Sequence, residues 1–148
     1  MNNDDKLELV APCGLHCGSC GLYKARTDKV LAEEMAQQRG IPVEKLPVCL
    51  GCRPHKGRVP LLGGSICVTY DCVVNQRGLK FCYECENFPC LKLAPAADRA
   101  QVIPHNSKIY NLLLLQKWGL KSWLQRADEL RKQYFQGKKP RGGDELQL

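Results

Sequence analysis

Ten cysteines lie between positions 13 and 90 of this 148-residue chain, and their spacing is typical of metal-binding motifs. Three pairs have the form Cys-x2-Cys, in which a tight turn can aim two sulfurs at one ion, as in structural zinc and iron–sulfur sites. The pairs are Cys17/Cys20, Cys49/Cys52 and Cys82/Cys85, and the other cysteines are Cys13, Cys67, Cys72 and Cys90. All ten are candidate metal ligands. For Cys13 and Cys90 the main alternative is a merely buried thiol, because free cysteine packs as a small hydrophobic residue.

Spacing alone leaves the division of these cysteines between sites open. One local set has an intervening loop of the length found in zinc sites; it consists of Cys49, Cys52, Cys67 and Cys72. The second set that we favour joins the two ends of the cysteine-bearing part; it consists of Cys17, Cys20, Cys82 and Cys85. Cross-pairing of the same cysteines stays open. The sequence therefore predicts one or two metal ions.

Sulfur-only ligation suits both zinc and iron–sulfur clusters. Zn²⁺ is the cofactor that we expect, with a [4Fe-4S] cluster as the alternative. His16 lies inside the first cysteine group and His55 just after the second. Either imidazole can replace a thiolate, although an ordinary surface position is the simpler interpretation. The spacing Cys13-x3-Cys17-x2-Cys20 also matches the radical S-adenosylmethionine motif, but the rest of the chain lacks the strand–helix alternation that such a barrel needs.

The cellular compartment decides whether clustered cysteines bind metal or each other. Residues 1–6 carry acids where a signal peptide needs basic residues, and the longest apolar run, residues 112–115, is too short to cross a bilayer. We therefore expect a cytoplasmic protein with reduced thiols and no membrane partner. The formal charge of +7 would fall to about +3 if eight thiolates bound two divalent ions. That correction weakens an inference of nucleic-acid binding from charge alone.

The elements that must position the cysteines are short in the cysteine-rich part, residues 11–93. Asp28 can cap a helix that ends at Gly40. Residues 41–64 are punctuated by Pro and Gly and read as a loop with too few apolar side chains to order itself by burial. Residues 67–76 permit either a helix or a strand. Metal bonds are the expected means of holding the loop in place.

A helical hairpin is predicted over residues 105–135. Asn106 can cap its first helix, Gly119 interrupts it, and apolar residues recur at three- and four-residue spacing on both sides of that glycine. Residues 136–148 form a flexible basic tail. Residues 1–135 are thus predicted to be a single small, metal-stabilised domain, α-dominated and irregular. Its zinc-knuckle loops would pack under the C-terminal helical pair, and metal centres would take the place of a conventional hydrophobic core.

The cysteine motifs resemble those of a known family of cysteine-rich bacterial and archaeal proteins, the domain of unknown function 3795. The resemblance is carried by residues 11–23 (APCGLHCGSCGLY), residues 49–52 (CLGC), the Cys67-x4-Cys72 spacing and residues 81–90 (FCYECENFPC). Residues 106–124 are similar to the tail of that family, so the resemblance covers nearly the whole chain. It implies a metal-binding module with zinc as the usual metal, and it supplies no activity.

The function expected from the sequence is a structural metal-binding protein that acts as an interaction or regulatory module. A closed four-thiolate site has no open coordination position, so it builds structure. The partner would be another protein, contacted through the loop at residues 54–64 and the basic end. The alternatives are an iron–sulfur protein for electron transfer or as accessory to a redox enzyme, a thiol-redox or metal-transfer protein, and nucleic-acid binding through residues 138–141. Asp71, Glu84 and Glu86 lie near thiols without forming an arrangement of nucleophile, base and orienting group, so an enzyme is not expected.

Overall fold

The computed structural model describes residues 3–60, 63–93 and 107–136. Its helices are α1 (Asn3–Glu8), α2 (Gly21–Lys24), α3 (Lys29–Gln38), α4 (Val68–Tyr70, continued by a π-helix over Asp71–Gln76) and α5 (Ser107–Gln136). Short 3₁₀ turns lie at Cys17–Ser19, Val43–Lys45, Cys82–Glu84 and Leu91–Leu93. Within these ranges there is no named strand, and an isolated antiparallel bridge joins Val10 to His16. The prediction of a helix-dominated small domain is confirmed.

Helix α3 begins and ends where its local signals predict. The Asp28 side chain accepts a hydrogen bond from the Leu31 backbone N–H at 3.0 Å, which satisfies one of the free donors of the first turn. At the other end Gly40 has a φ of 63°, the left-handed conformation in which helices commonly finish. Local capping chemistry is therefore enough to fix this element.

Residues 67–76, for which helix and strand were both open, are helical. The Asp71 carboxylate accepts hydrogen bonds from the side-chain amides of Asn75 (2.8 Å) and Gln76 (2.7 Å), one turn later in the π-helix. Gly78, with a φ of 66°, follows the end of this helix. The valines of this segment favour a strand, but the described ranges offer no neighbouring strand with which it could pair.

The loop after α3 is held by packing of its backbone on α4. Residues 41–59 contain the turn Val43–Lys45 and otherwise consist of turns and extended segments. Gly57 has a φ of 79°, and a Cβ at this position would lie 2.7 Å from the Tyr70 ring. The Cys67 backbone N–H donates to the Gly57 carbonyl at 2.9 Å. A close backbone approach that only glycine permits therefore connects the loop to the start of α4.

Helix α5 is interrupted at Gly119, where φ is 75° and ψ is 163°. The rings of Tyr110 and Tyr134 approach to 5.3 Å, although one continuous helix would hold them about 36 Å apart. The two halves of α5 therefore fold back on each other as a pair. No helix in the described ranges is apolar enough over sufficient length to cross a membrane. The predicted cap Asn106 and the predicted tail beyond Gln136 lie outside the described residues.

A single hydrophobic core joins the cysteine-rich part to the helical pair. Its fully buried members include Leu112, Leu115 and Trp123 from α5, which pack with Val10 and Leu93. Each such side chain contributes about 1.5–3 kcal/mol on burial. The expectation that metal centres replace a conventional core is therefore wrong, because apolar side chains from both parts cover each other.

Candidate metal centre

The first cysteine turn is seated directly on α5. Cys13 is buried, and the next residue, Gly14, has a φ of 83°. A Cβ on Gly14 would lie 2.9 Å from Cγ of Leu112 and 3.0 Å from the Lys108 carbonyl oxygen. The Asn111 side-chain amide donates to the Gly14 carbonyl at 2.9 Å. The glycine thus lets the turn approach α5 closely enough to bury the Cys13 thiol.

The second Cys-x2-Cys turn packs against the first. Gly51 has a φ of 103°, and a Cβ there would lie 3.6 Å from Cβ of Cys17. Inside this turn the His55 Nε2 accepts a hydrogen bond from the Leu50 backbone N–H at 2.9 Å. His55 therefore fixes the shape of the loop, and the lone pair of its Nε2 is used in this hydrogen bond. It is a half-buried structural residue instead of the ordinary surface side chain that was expected.

Arg53 connects three cysteine-bearing segments, a role that the sequence did not reveal. Its Nε donates to the Val10 carbonyl at 2.9 Å and its Nη2 to the Lys80 carbonyl at 2.5 Å. The guanidinium also lies 5.1 Å from the centroid of the Phe81 ring, within cation–π range. The available signal was its position directly after Cys52. Its partners are distant in sequence, so only the fold identifies them.

Four thiols surround the contact between these turns. Burial raises the pKa of Cys52, and the neighbouring Cys13, Cys17 and Cys67 raise it further. Burial also raises the pKa values of Cys13 and Cys17, and the Cys52 backbone hydrogen-bonds to the Cys17 sulfur. We call Cys13, Cys17, Cys52 and Cys67 the first cluster. Two further cysteines flank it close to Cys17; they are Cys20 and Cys49.

The remaining four cysteines line one small cavity and form the second cluster. They are Cys72, Cys82, Cys85 and Cys90, and the cavity has a volume of about 20 Å³. That volume accommodates about one water-sized group. Burial, followed by the charges of neighbouring cysteines, raises the pKa of Cys82 to about 12. Hydrogen bonds from Lys92 and then Arg77 lower the pKa of Cys72, a shift toward the thiolate form that binds metal.

Backbone hydrogen bonds shape the second cluster. The Cys82 N–H donates to the Pro12 carbonyl at 3.0 Å, which fixes this turn beside the first cluster. The Cys85 N–H donates to the Cys82 carbonyl at 3.1 Å, and the Leu93 N–H donates to the Cys90 carbonyl at 3.0 Å. Two consecutive tight turns thus direct three cysteines toward α4, which supplies Cys72.

This grouping differs from the two sets that the spacing favoured. Cys67 and Cys72 were placed together, but Cys67 is the extended residue that precedes α4, whereas Cys72 lies in its π-helical part. Cys67 lies at the start of α4, where its N–H contacts Gly57, whereas Cys72 faces the second-cluster cavity. Cys82 and Cys85 consequently gather with Cys72 and Cys90, and Cys17 gathers with Cys52. The local fold of residues 67–72, which linear spacing does not record, separates the two clusters.

The donor chemistry of both clusters fits a thiophilic ion. All ten cysteines lie in the described ranges, and none forms a disulfide. Among those residues, however, no group of three or more Cys, His, Asp or Glu side chains is gathered closely enough to hold an ion as it stands. Protonated thiols pack as small hydrophobic groups. Binding would require loss of their protons and convergence of the sulfurs by side-chain rotation.

His16 belongs to a polar contact between the first cysteine turn and α5. The Ser19 hydroxyl donates to the Asp128 carboxylate, and the His16 Nδ1 lies 2.5 Å from the Ser19 Oγ. Because the one hydroxyl proton is used toward Asp128, Nδ1–H of His16 donates to Ser19. The imidazole also contacts Trp123 edge-to-face at 5.5 Å. Ser19 lies between His16 and Asp128. In a hydrolytic triad the histidine lies between the nucleophile and the carboxylate, so this arrangement is not a triad.

These contacts perturb the pKa values of the ionisable members. Burial lowers the pKa of His16, against the opposing effect of the Asp128 charge. The Ser19 hydrogen bond lowers the pKa of the Asp128 carboxyl. His16 was expected at an ordinary surface position. That expectation is wrong, because the ring is half-buried against Trp123.

The acidic side chains near the thiols have structural partners. The Glu84 carboxylate accepts hydrogen bonds from the backbone N–H groups of Lys80 (2.8 Å) and Phe81 (3.3 Å) and so caps the turn Cys82–Glu84. Glu86 forms an exposed ion pair with Arg77 at 4.0 Å. These contacts orient the loops around the second cluster.

Comparison with known proteins identifies a family. The family model described as "Protein of unknown function (DUF3795)" matches residues 9–95. The match covers more than half of the chain and includes every cysteine of both clusters. No curated protein and no solved structure matches the chain.

Proposed function

The chain belongs to this family of unknown function, and we propose that it is a structural metal-binding protein whose two cysteine clusters each hold one Zn²⁺ ion. The observation that supports the proposal is that Cys72, Cys82, Cys85 and Cys90 line one cavity of about 20 Å³. Four thiolates with no open coordination position form a site that stabilises structure. The zinc would supply that stabilisation by replacing thiol protons and fixing the two turns of residues 82–93 to α4.

The first cluster supports a second ion of the same kind. Its residues come from three separate segments, and burial raises the pKa values of the Cys13, Cys17 and Cys52 thiols. A divalent ion would offset the charge that otherwise makes buried thiolates unfavourable. The cysteines that would hold it are Cys13, Cys17, Cys52 and Cys67. The loop over residues 41–59, which buries few apolar side chains, would gain order from this ion.

The proposed role is that of an interaction module for another protein. Val48 and Leu50 flank Cys49, and their side chains are 62% and 48% exposed. A metal-fixed turn would present these apolar side chains in one conformation, which lowers the entropy lost when a partner binds. The metal would therefore serve binding indirectly, through the shape of the turn.

The test is metal content of protein purified without added metal, with one cysteine replaced in each cluster. Wild type should carry two zinc ions per chain. The variants Cys52→Ser and Cys85→Ser should each carry one, because each removes a ligand from a different cluster. Cys20→Ser is the matched control, since Cys20 lies outside both sets of four, and it should retain two ions. Loss of an ion from this control would reassign the ligands of the first cluster.

The iron–sulfur alternative predicts a different result in the same preparation. Protein purified under nitrogen would then contain iron and acid-labile sulfide and would absorb visible light. Zinc in stoichiometric amounts with no visible absorption supports our proposal. Metal-free, folded wild type would refute both.

A further inference from the structure

We propose that Arg77 and Lys92 are the counter-cations of the second cluster, which hydrogen-bond its sulfur and strengthen its hold on a metal ion. This inference rests on the proposed function, because it concerns the same site. Both side chains line the cavity together with the four cysteines. They are positioning residues, since they would contact a metal ligand instead of the metal.

The two cations reach the same sulfur from different elements. Arg77 follows the end of the π-helix that carries Cys72, whereas Lys92 belongs to the turn Leu91–Leu93. Both side chains hydrogen-bond to the Cys72 sulfur. The Thr69 hydroxyl donates to the Lys92 carbonyl at 3.1 Å, which ties that turn to α4. The convergence is therefore fixed by the backbone on both sides.

The negative charge of a zinc-bound second cluster would favour two cations beside it. Four thiolates around a divalent ion leave a net charge of −2, which is costly at a partly desolvated site. Arg77 and Lys92 carry two positive charges beside the site, and the charge of Arg77 is shared with the Glu86 carboxylate. The charge of Cys85 also acts on Arg77, and the charge of Cys90 acts on Lys92. Hydrogen bonds between an ionised donor and an ionised acceptor are about twice as strong as neutral ones.

The first cluster has a different electrostatic environment. The charge of Lys108 acts on Cys13, and the other neighbouring cation, Arg53, donates to the Val10 and Lys80 carbonyls. Arg53 is thus engaged with the backbone, whereas Arg77 and Lys92 donate to sulfur. Removal of the latter two charges should weaken metal binding at the second cluster and leave the first cluster unchanged.

The experiment is a zinc titration at pH 7 against a chromophoric chelator, with the binding step of the second cluster identified as the one lost in Cys85→Ser. Lys92→Met and Arg77→Met should each weaken that step about tenfold, and the double variant up to about 100-fold, the range found for second-sphere substitutions at metal sites. Lys92→Arg should restore most of the affinity, because it keeps a donor and a charge. Lys45→Met, which removes an exposed charge from another turn, is the control and should change neither step.

The outcomes separate the two proposals. If wild type binds two zinc ions and the Arg77 and Lys92 variants bind them equally tightly, the counter-cation role is refuted and the metal sites stand. If wild type binds no zinc, the proposed function itself fails. Equal weakening of both binding steps would also refute the inference, since it would indicate a general loss of structure. Restoration by Lys92→Arg distinguishes a charge effect from a packing effect.

Discussion

Gly14 offers the sharpest test of how the cysteine-rich part docks on the helical pair. In Gly14→Ala the new Cβ would meet the Leu112 side chain at 2.9 Å and the Lys108 carbonyl at 3.0 Å. The backbone φ of 83° adds a conformational cost of about 1–2 kcal/mol for an L-residue. Overpacking against buried neighbours adds about 1–3 kcal/mol. We therefore expect Gly14→Ala to lower the free energy of unfolding by about 2–5 kcal/mol.

Gly40→Ala is the matched control. Gly40 also has a positive φ, 63°, but a Cβ there would have no atom within 4 Å. This variant should lose about 1–2 kcal/mol, the conformational term alone. Both free energies would be measured by urea unfolding at equal protein and metal concentrations, because bound ligand shifts apparent stability. The difference between the two variants isolates the steric contact with α5. Equal losses in both would refute the close docking of the first cysteine turn.

Three further predictions concern contacts that the fold creates. Trp123→Ala should cost about 3–5 kcal/mol in urea unfolding, because it empties the centre of the core; a loss below 1 kcal/mol would contradict the shared core. Arg53→Met should cost about 2–4 kcal/mol, since two backbone carbonyls lose a charged donor, and Arg53→Lys should recover only part of it. Ser19→Ala should cost about 1 kcal/mol at pH 7, a modest value because Asp128 is exposed to screening solvent. The Ser19 hydrogen bond depresses the pKa of Asp128, so this stabilisation is complete above the unfolded pKa near 4 and is lost as pH falls through the folded pKa. The gap between wild type and Ser19→Ala should accordingly narrow as the pH falls below about 4, and a gap that widens would contradict the assignment.

The sequence predicted those elements whose signals are local. Asp28 and Gly40 delimit α3 through capping chemistry, and Gly119 breaks α5 because it adopts a conformation that other residues avoid. The candidate metal ligands could also be identified from the sequence, since a Cys-x2-Cys turn is formed by four adjacent residues. The sequence therefore revealed the features that are determined by residues within about one turn of each other along the chain.

The missed features depend on residues brought together by folding. Ser19 and Asp128 are 109 positions apart, and no pattern in the chain relates them. The division of cysteines between clusters depends on where α4 begins, after the extended residue Cys67, and the start of α4 could not be set while residues 67–76 were open to either helix or strand. The core was underestimated because its apolar side chains are scattered singly through the cysteine-rich part, as at Val10 and Leu93.

A count of thiols and metal ions on the same native sample tests the central claim most directly. We predict two zinc ions per chain and eight thiols of the ten that become reactive when a chelator is added. Of the other two, the partly exposed Cys20 should react rapidly and the buried Cys49 slowly. The chelated protein should retain its helical pair, because that part is held by the hydrophobic core. A folded, metal-free protein in which all ten thiols react at once would contradict the account.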